Sequence, residues 1–135
     1  MKNKFFLLFF LIIGFLGHSQ NPVTFETQVT KISENTFELV TKANIQSKWR
    51  LYSQNLSSGG AIPTEFIFYN KSKSFNLIGD VKESQSITKF DPIFQIDQSY
   101  FENNSTFTQL IETNETIDNI SAVIAYQACD DIVCI

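Results

Sequence analysis

The chain has 135 residues, 43% of them apolar, which gives room for one modest domain and excludes two full ones. Its net charge of −4, with no cluster of Lys or Arg, excludes nucleic acid as a partner, because phosphate binding draws its energy from positive charge. The lone histidine is His18, close to the start.

The first segment decides what that histidine means. Met1-Lys2-Asn3-Lys4 is a short basic start, residues 5–17 are a continuous apolar run, and Gly17 and Ser19 are small side chains suited to a cleavage site. A helix over residues 5–17 reaches only about 20 Å, short of the roughly 30 Å hydrocarbon core, so residues 1–19 read as a secretory signal peptide and not as a membrane anchor. Cleavage after Ser19 takes Lys2, Lys4 and His18 with it and leaves all 14 acidic residues, for a net charge of −6 on residues 20–135. A Ser/His/Asp triad, a Cys/His pair, a His-ligated metal and a His general base all leave with the histidine. Carboxylates and thiols remain.

From Asn21 onward the texture is β. Residues 23–29 put Val23, Phe25, Thr27 and Val29 on one face. Residues 37–45 do the same with Phe37, Leu39, Thr41, Ala43 and Ile45, the period of two that a half-buried strand requires. Further short strands are expected over 49–52, 66–69, 75–78, 107–111 and 120–128. Pro22, Pro63, Pro92, Gly59, Gly60 and Gly79 fall between apolar runs, where turns belong. No capping residue opens a long run at helical spacing, so the fold class is all-β, a sandwich. Glu26, Glu38, Glu65 and Glu83 are scattered and read as solvated strand or turn positions, and Trp49, Tyr52, Phe66 and Phe68 as core or hairpin aromatics.

The strongest chemical signal comes at the end, where Cys129-Asp130-Asp131-Ile132-Val133-Cys134 sets two thiols five positions apart, directly after a strand-like run. If the chain reverses between them, they face each other across an antiparallel hairpin, where opposed Cα atoms lie about 4.5 to 5.5 Å apart and a disulfide can span them. Three readings compete. A structural disulfide is the ordinary use of an even cysteine count in a secreted protein, although a ring this small stabilises by only about 2 kcal/mol on the chain-entropy model. Zinc would find two thiolates and an incomplete shell. A redox-active dithiol is the third, since a short hairpin at a sheet edge can be reached by an incoming thiolate.

These residues also carry a resemblance. Tyr126-Gln127-Ala128-Cys129-Asp130-Asp131-Ile132-Val133-Cys134 is similar to the cysteine motif of the N-terminal periplasmic domain of the thiol:disulfide interchange protein DsbD. Upstream, Trp49-Arg50-Leu51-Tyr52-Ser53, Gly60-Ala61-Ile62-Pro63-Thr64 and Phe66-Ile67-Phe68 resemble that family's aromatic strand, glycine turn and Pro-Thr strand start, in the same order. Asp91-Pro92-Ile93-Phe94, followed by Tyr100-Phe101, also fits. The resemblance implies an immunoglobulin-like β-sandwich over residues 20–135 that acts as a thiol-disulfide oxidoreductase without cofactor or metal. By position, Cys129 and Cys134 would be the redox pair. Phe94 would be the aromatic shield on a short loop, with Asp91, Tyr52 and Tyr126 as supporting residues. The implied partners are thioredoxin-fold periplasmic proteins and a membrane-embedded dithiol transporter domain, and the implied location is the periplasm.

Two further expectations follow. The family continues past its second cysteine with prolines and a final strand, whereas this sequence stops at Ile135, so the sandwich is expected to lack its last strand. Asp130 and Asp131 carry the wrong sign to acidify a thiol, so the pair is expected to be slow and to depend on a partner's activated cysteine. The rival class is a non-catalytic binding sandwich in which the two cysteines only fasten a hairpin.

Overall fold

The computed structural model describes residues 21–70, 73–114 and 119–135; the signal peptide expected over 1–19 lies outside them. Among the described residues there are ten strands and no helix. They are β1 (Val23–Lys31), β2 (Thr36–Ile45), β3 (Arg50–Tyr52), β4 (Glu65–Tyr69), β5 (Asn76–Glu83), β6 (Ile87–Asp91), β7 (Ile96–Phe101), β8 (Asn104–Glu112), β9 (Ser121–Ala125) and β10 (Ala128–Cys129). All pairings are antiparallel. One sheet has the order β1-β2-β8-β5, a second β10-β3-β7-β6, and β4 pairs with β9.

Alternation along β2 and β8 builds the first layer. Leu39, Thr41, Ala43 and Ile45 of β2 are buried, as are Ser105, Phe107, Gln109 and Ile111 of β8, with intervening residues more exposed. Near Ile45 this face meets the second sheet: Val23, Ala43, Ile45 and Phe107 pack with Leu51, Phe101 and Ala128. Toward the other end, Leu39, Phe75 and Ile111 take Phe68 and Ile120 against them. The second sheet and the β4–β9 pair thus cover successive stretches of the first sheet, the two-layer plan of an immunoglobulin-like sandwich.

The structure revises several strand limits. Val29 shares the face of Val23 but is 58% exposed, because the end of edge strand β1 runs past the covering layer. The run expected over 120–128 breaks at Tyr126 and Gln127, where the chain passes from β9 to β10 and so from one sheet to another. Gln127 stitches the crossing: its carbonyl accepts from the Tyr52 amide at 3.2 Å and its side-chain oxygen from the Ile62 amide at 2.7 Å. Strands β6 and β7 were absent from the expectation. Glu83, expected to be solvated, is half-buried and accepts from the Ser53 hydroxyl, the Gln54 amide and the Asn55 side chain.

Candidate active site

Strand register sorts the side chains of the second sheet into two sets. Opposed residues of an antiparallel pair share a face, as do residues two apart along a strand. Ala128 stands opposite Leu51, and Leu51 opposite Phe101; these point into the main core. Cys129 stands opposite Arg50, and Tyr52 opposite Tyr100, so Arg50, Tyr52, Tyr100 and Cys129 all point the other way. There Tyr52, Tyr100 and Cys129 form a second buried cluster with Ala61, flanked by Leu56, Phe94 and Cys134. The loop bearing Ala61 lies tight on this face. A Cβ at Gly60 would run into the side-chain amide of buried Gln98.

Cys129 and Cys134 are joined by a disulfide, with Cα atoms 4.1 Å apart in an antiparallel bridge. The hairpin that brings them together is specified locally. Ala128 and Ile135 exchange both backbone hydrogen bonds, at 3.1 and 2.9 Å, and the Asp130 amide donates to the Val133 carbonyl at 3.0 Å. The Asp130 carboxylate accepts from the Ile132 and Val133 amides, both at 2.8 Å, which closes the turn. Those amides, Val133 foremost, hold its carboxyl below the usual range. Cys129 is fully buried, whereas Cys134 is half-buried in a turn whose Ile132 is 92% exposed.

The β6–β7 connection lies against this cluster through Phe94. Asp91, fully buried, ends β6, and the Gln95 amide donates to its carbonyl at 2.8 Å. One carboxylate oxygen accepts from the Ile93 amide at 2.8 Å and the Phe94 amide at 3.4 Å, and the other from the Tyr52 hydroxyl at 2.5 Å. Asp91 therefore both shapes the loop and ties it to the floor of the site. Phe94 packs edge-on against Tyr52 at 5.7 Å and joins the cluster that holds both sulfurs. Burial, with the Asp91 hydrogen bond next, pushes the Tyr52 hydroxyl well above the usual phenol range.

The structure brings Cys129, Cys134, Phe94, Asp91 and Tyr52 to one place and puts Tyr126 elsewhere. Tyr126 ends the β9 stretch and packs on Phe25 at 5.2 Å beside the main core, with its hydroxyl donating to the Asn21 side chain at 2.9 Å. Sequence reasoning passed over Arg50. Its side chain is 13% exposed, lies over the Tyr100 ring at 5.7 Å and donates to the Asp130 carbonyl at 3.2 Å and the Asp131 carboxylate at 2.9 Å. Asp131, expected to act on the thiols as an unopposed negative charge, is thus paired. Among the described residues no three Cys, Asp or Glu side chains gather as a metal site needs.

The model of the family described as thiol:disulfide interchange protein DsbD, N-terminal, matches residues 19–135. A crystal structure of the N-terminal periplasmic domain of ScsB from Proteus mirabilis shares the fold, with a TM-score of 0.63 at 14% identity. The match covers 86% of this chain and 43% of that one, so the chain spans less than half the length of that structure. No curated protein matches the sequence.

Proposed function

The chain belongs to the family of the N-terminal domain of the thiol:disulfide interchange protein DsbD, and from that premise we propose that Cys129 and Cys134 are its redox pair. The reading is carried by one observation: the disulfide joins buried Cys129 to half-buried Cys134, and Phe94 packs against the same cluster. Buried Cys129 is out of a partner's reach, so exchange runs through Cys134. A reduced partner's thiolate attacks Cys134, the bond between the two sulfurs breaks, and Cys129 leaves as a thiolate that takes a proton. The partner's second thiolate then attacks its own sulfur in the mixed disulfide and releases Cys134. The partner's dithiol becomes a disulfide, this chain's disulfide becomes a dithiol, and two electrons have moved. In the onward step Cys134 attacks a client disulfide and Cys129 resolves it.

The proposed setting is the periplasm, supported by the export signal read in residues 1–19 and by the periplasmic location of the Proteus mirabilis domain. The electron source in this reading is a membrane-embedded dithiol domain acting through a thioredoxin-fold protein, and the clients are periplasmic disulfide proteins. Equilibration with a glutathione or dithiothreitol buffer tests the pair. A potential above about −300 mV is expected; a lower one marks a fastening that cellular dithiols leave closed, and the reading fails. Cys129→Ser is expected to accumulate a mixed disulfide with a thioredoxin-fold partner, and Cys134→Ser to accumulate none.

A further inference from the structure

The exchange just described sets Cys129 a difficulty. Its sulfur must leave as an anion into a buried cluster of Tyr52, Ala61 and Tyr100, where loss of water disfavours charge. A poorly stabilised thiolate is a slow leaving group. The Tyr52 hydroxyl is committed to Asp91. The Asp130 and Asp131 carboxylates on the hairpin, and Asp91 at the end of β6, would repel a new negative charge. Lys89 of β6, opposite Gln98, is exposed. One cation is set against the departing sulfur by register, and that is Arg50, the direct partner of Cys129 across β3 and β10.

Arg50 also has capacity to spare. Its terminal nitrogen Nη2 is engaged by the hairpin, but Nε is buried and has no hydrogen-bond partner. A buried donor left open is costly, and in a native site it asks for a reason, a redox role being one. Resting on the exchange reading above, we propose that Arg50 compensates the charge of the Cys129 thiolate when the disulfide opens, and that Asp131, by holding Nη2 of the same guanidinium, tempers this effect. Reduction adds two electrons and two protons to the pair. Arg50 acts on the interval in which Cys129 has received its electrons but not its proton.

Thiol titration in chemically reduced protein tests this, with Cys134→Ser as the background so that Cys129 alone reports. Thiolate absorbance and the pH dependence of iodoacetamide alkylation are the readouts. Arg50→Gln is expected to raise the Cys129 midpoint by about one unit or more, Arg50→Lys to recover much of the shift, and Asp131→Asn to lower the midpoint. A purely structural clasp between Arg50 and Asp131 would move the Arg50→Gln and Asp131→Asn variants in the same direction. That result, or an Arg50→Gln titration coincident with its parent, overturns the proposal. Asp131 is exposed, so its variant keeps the test open if Arg50→Gln unfolds. Wild-type protein that no thioredoxin-fold partner reduces would sink the exchange reading instead, while the titration still decides the role of Arg50.

Discussion

Asp91 is the residue on which the β6–β7 loop depends, because its buried carboxylate gathers two loop amides and the Tyr52 hydroxyl. Tyr52→Phe removes the hydroxyl donor and leaves that carboxylate short of a partner it cannot replace with water. A loss of about 1–3 kcal/mol is expected at pH 7, read from urea unfolding. The pH dependence has a definite sign. Tyr52 ionises in the folded protein above the value of an unfolded tyrosine, so its contribution is complete below about pH 10 and is lost as pH rises further. Wild-type stability should therefore fall more steeply than that of Tyr52→Phe above pH 10, and the two curves should converge. Parallel curves across that range would show that the Tyr52 proton is not linked to folding.

Among the elements, β3 carries Tyr52 into the sulfur cluster and the β6–β7 connection brings Phe94 against it, where we propose that it shields the disulfide. Phe94→Ala is expected to quicken reduction of the disulfide by dithiothreitol, since the ring packs in the cluster that holds both sulfurs. Because Phe94 is half-buried, the truncation should cost roughly 2 kcal/mol, less than for a core phenylalanine. An unchanged reduction rate would mean that the ring does not gate access. Strand β2 could be read from sequence because Leu39, Thr41, Ala43 and Ile45 alternate cleanly with more exposed positions. Strand β6 could not, because in Ile87–Asp91 the buried residue is the aspartate, and β7 hides its pattern by burying Gln98 beside Tyr100 and Phe101. The cysteines and Phe94 stood out as local motif positions. Arg50 did not, because its importance comes from a pairing with residues about 80 positions away that only the sheet brings together.

For the whole molecule, the sulfur cluster and the main core are separate. Val23, Ala43, Ile45, Leu51, Phe101, Phe107 and Ala128 pack without either cysteine, and a six-residue ring contributes only about 2 kcal/mol of chain entropy. Replacing both cysteines by serine should therefore leave a cooperatively folded protein with an unchanged near-ultraviolet circular dichroism spectrum away from the disulfide band. Collapse of the fold on that substitution would show that the bond is a structural clamp. The two clusters meet along β3, where Leu51 looks into the packed interior while Arg50 and Tyr52 look toward the sulfurs. Odd and even places in this tripeptide thus answer to separate physical demands. Work on the main interior would begin at the middle residue, and work on the surroundings of the sulfurs at the two flanking ones.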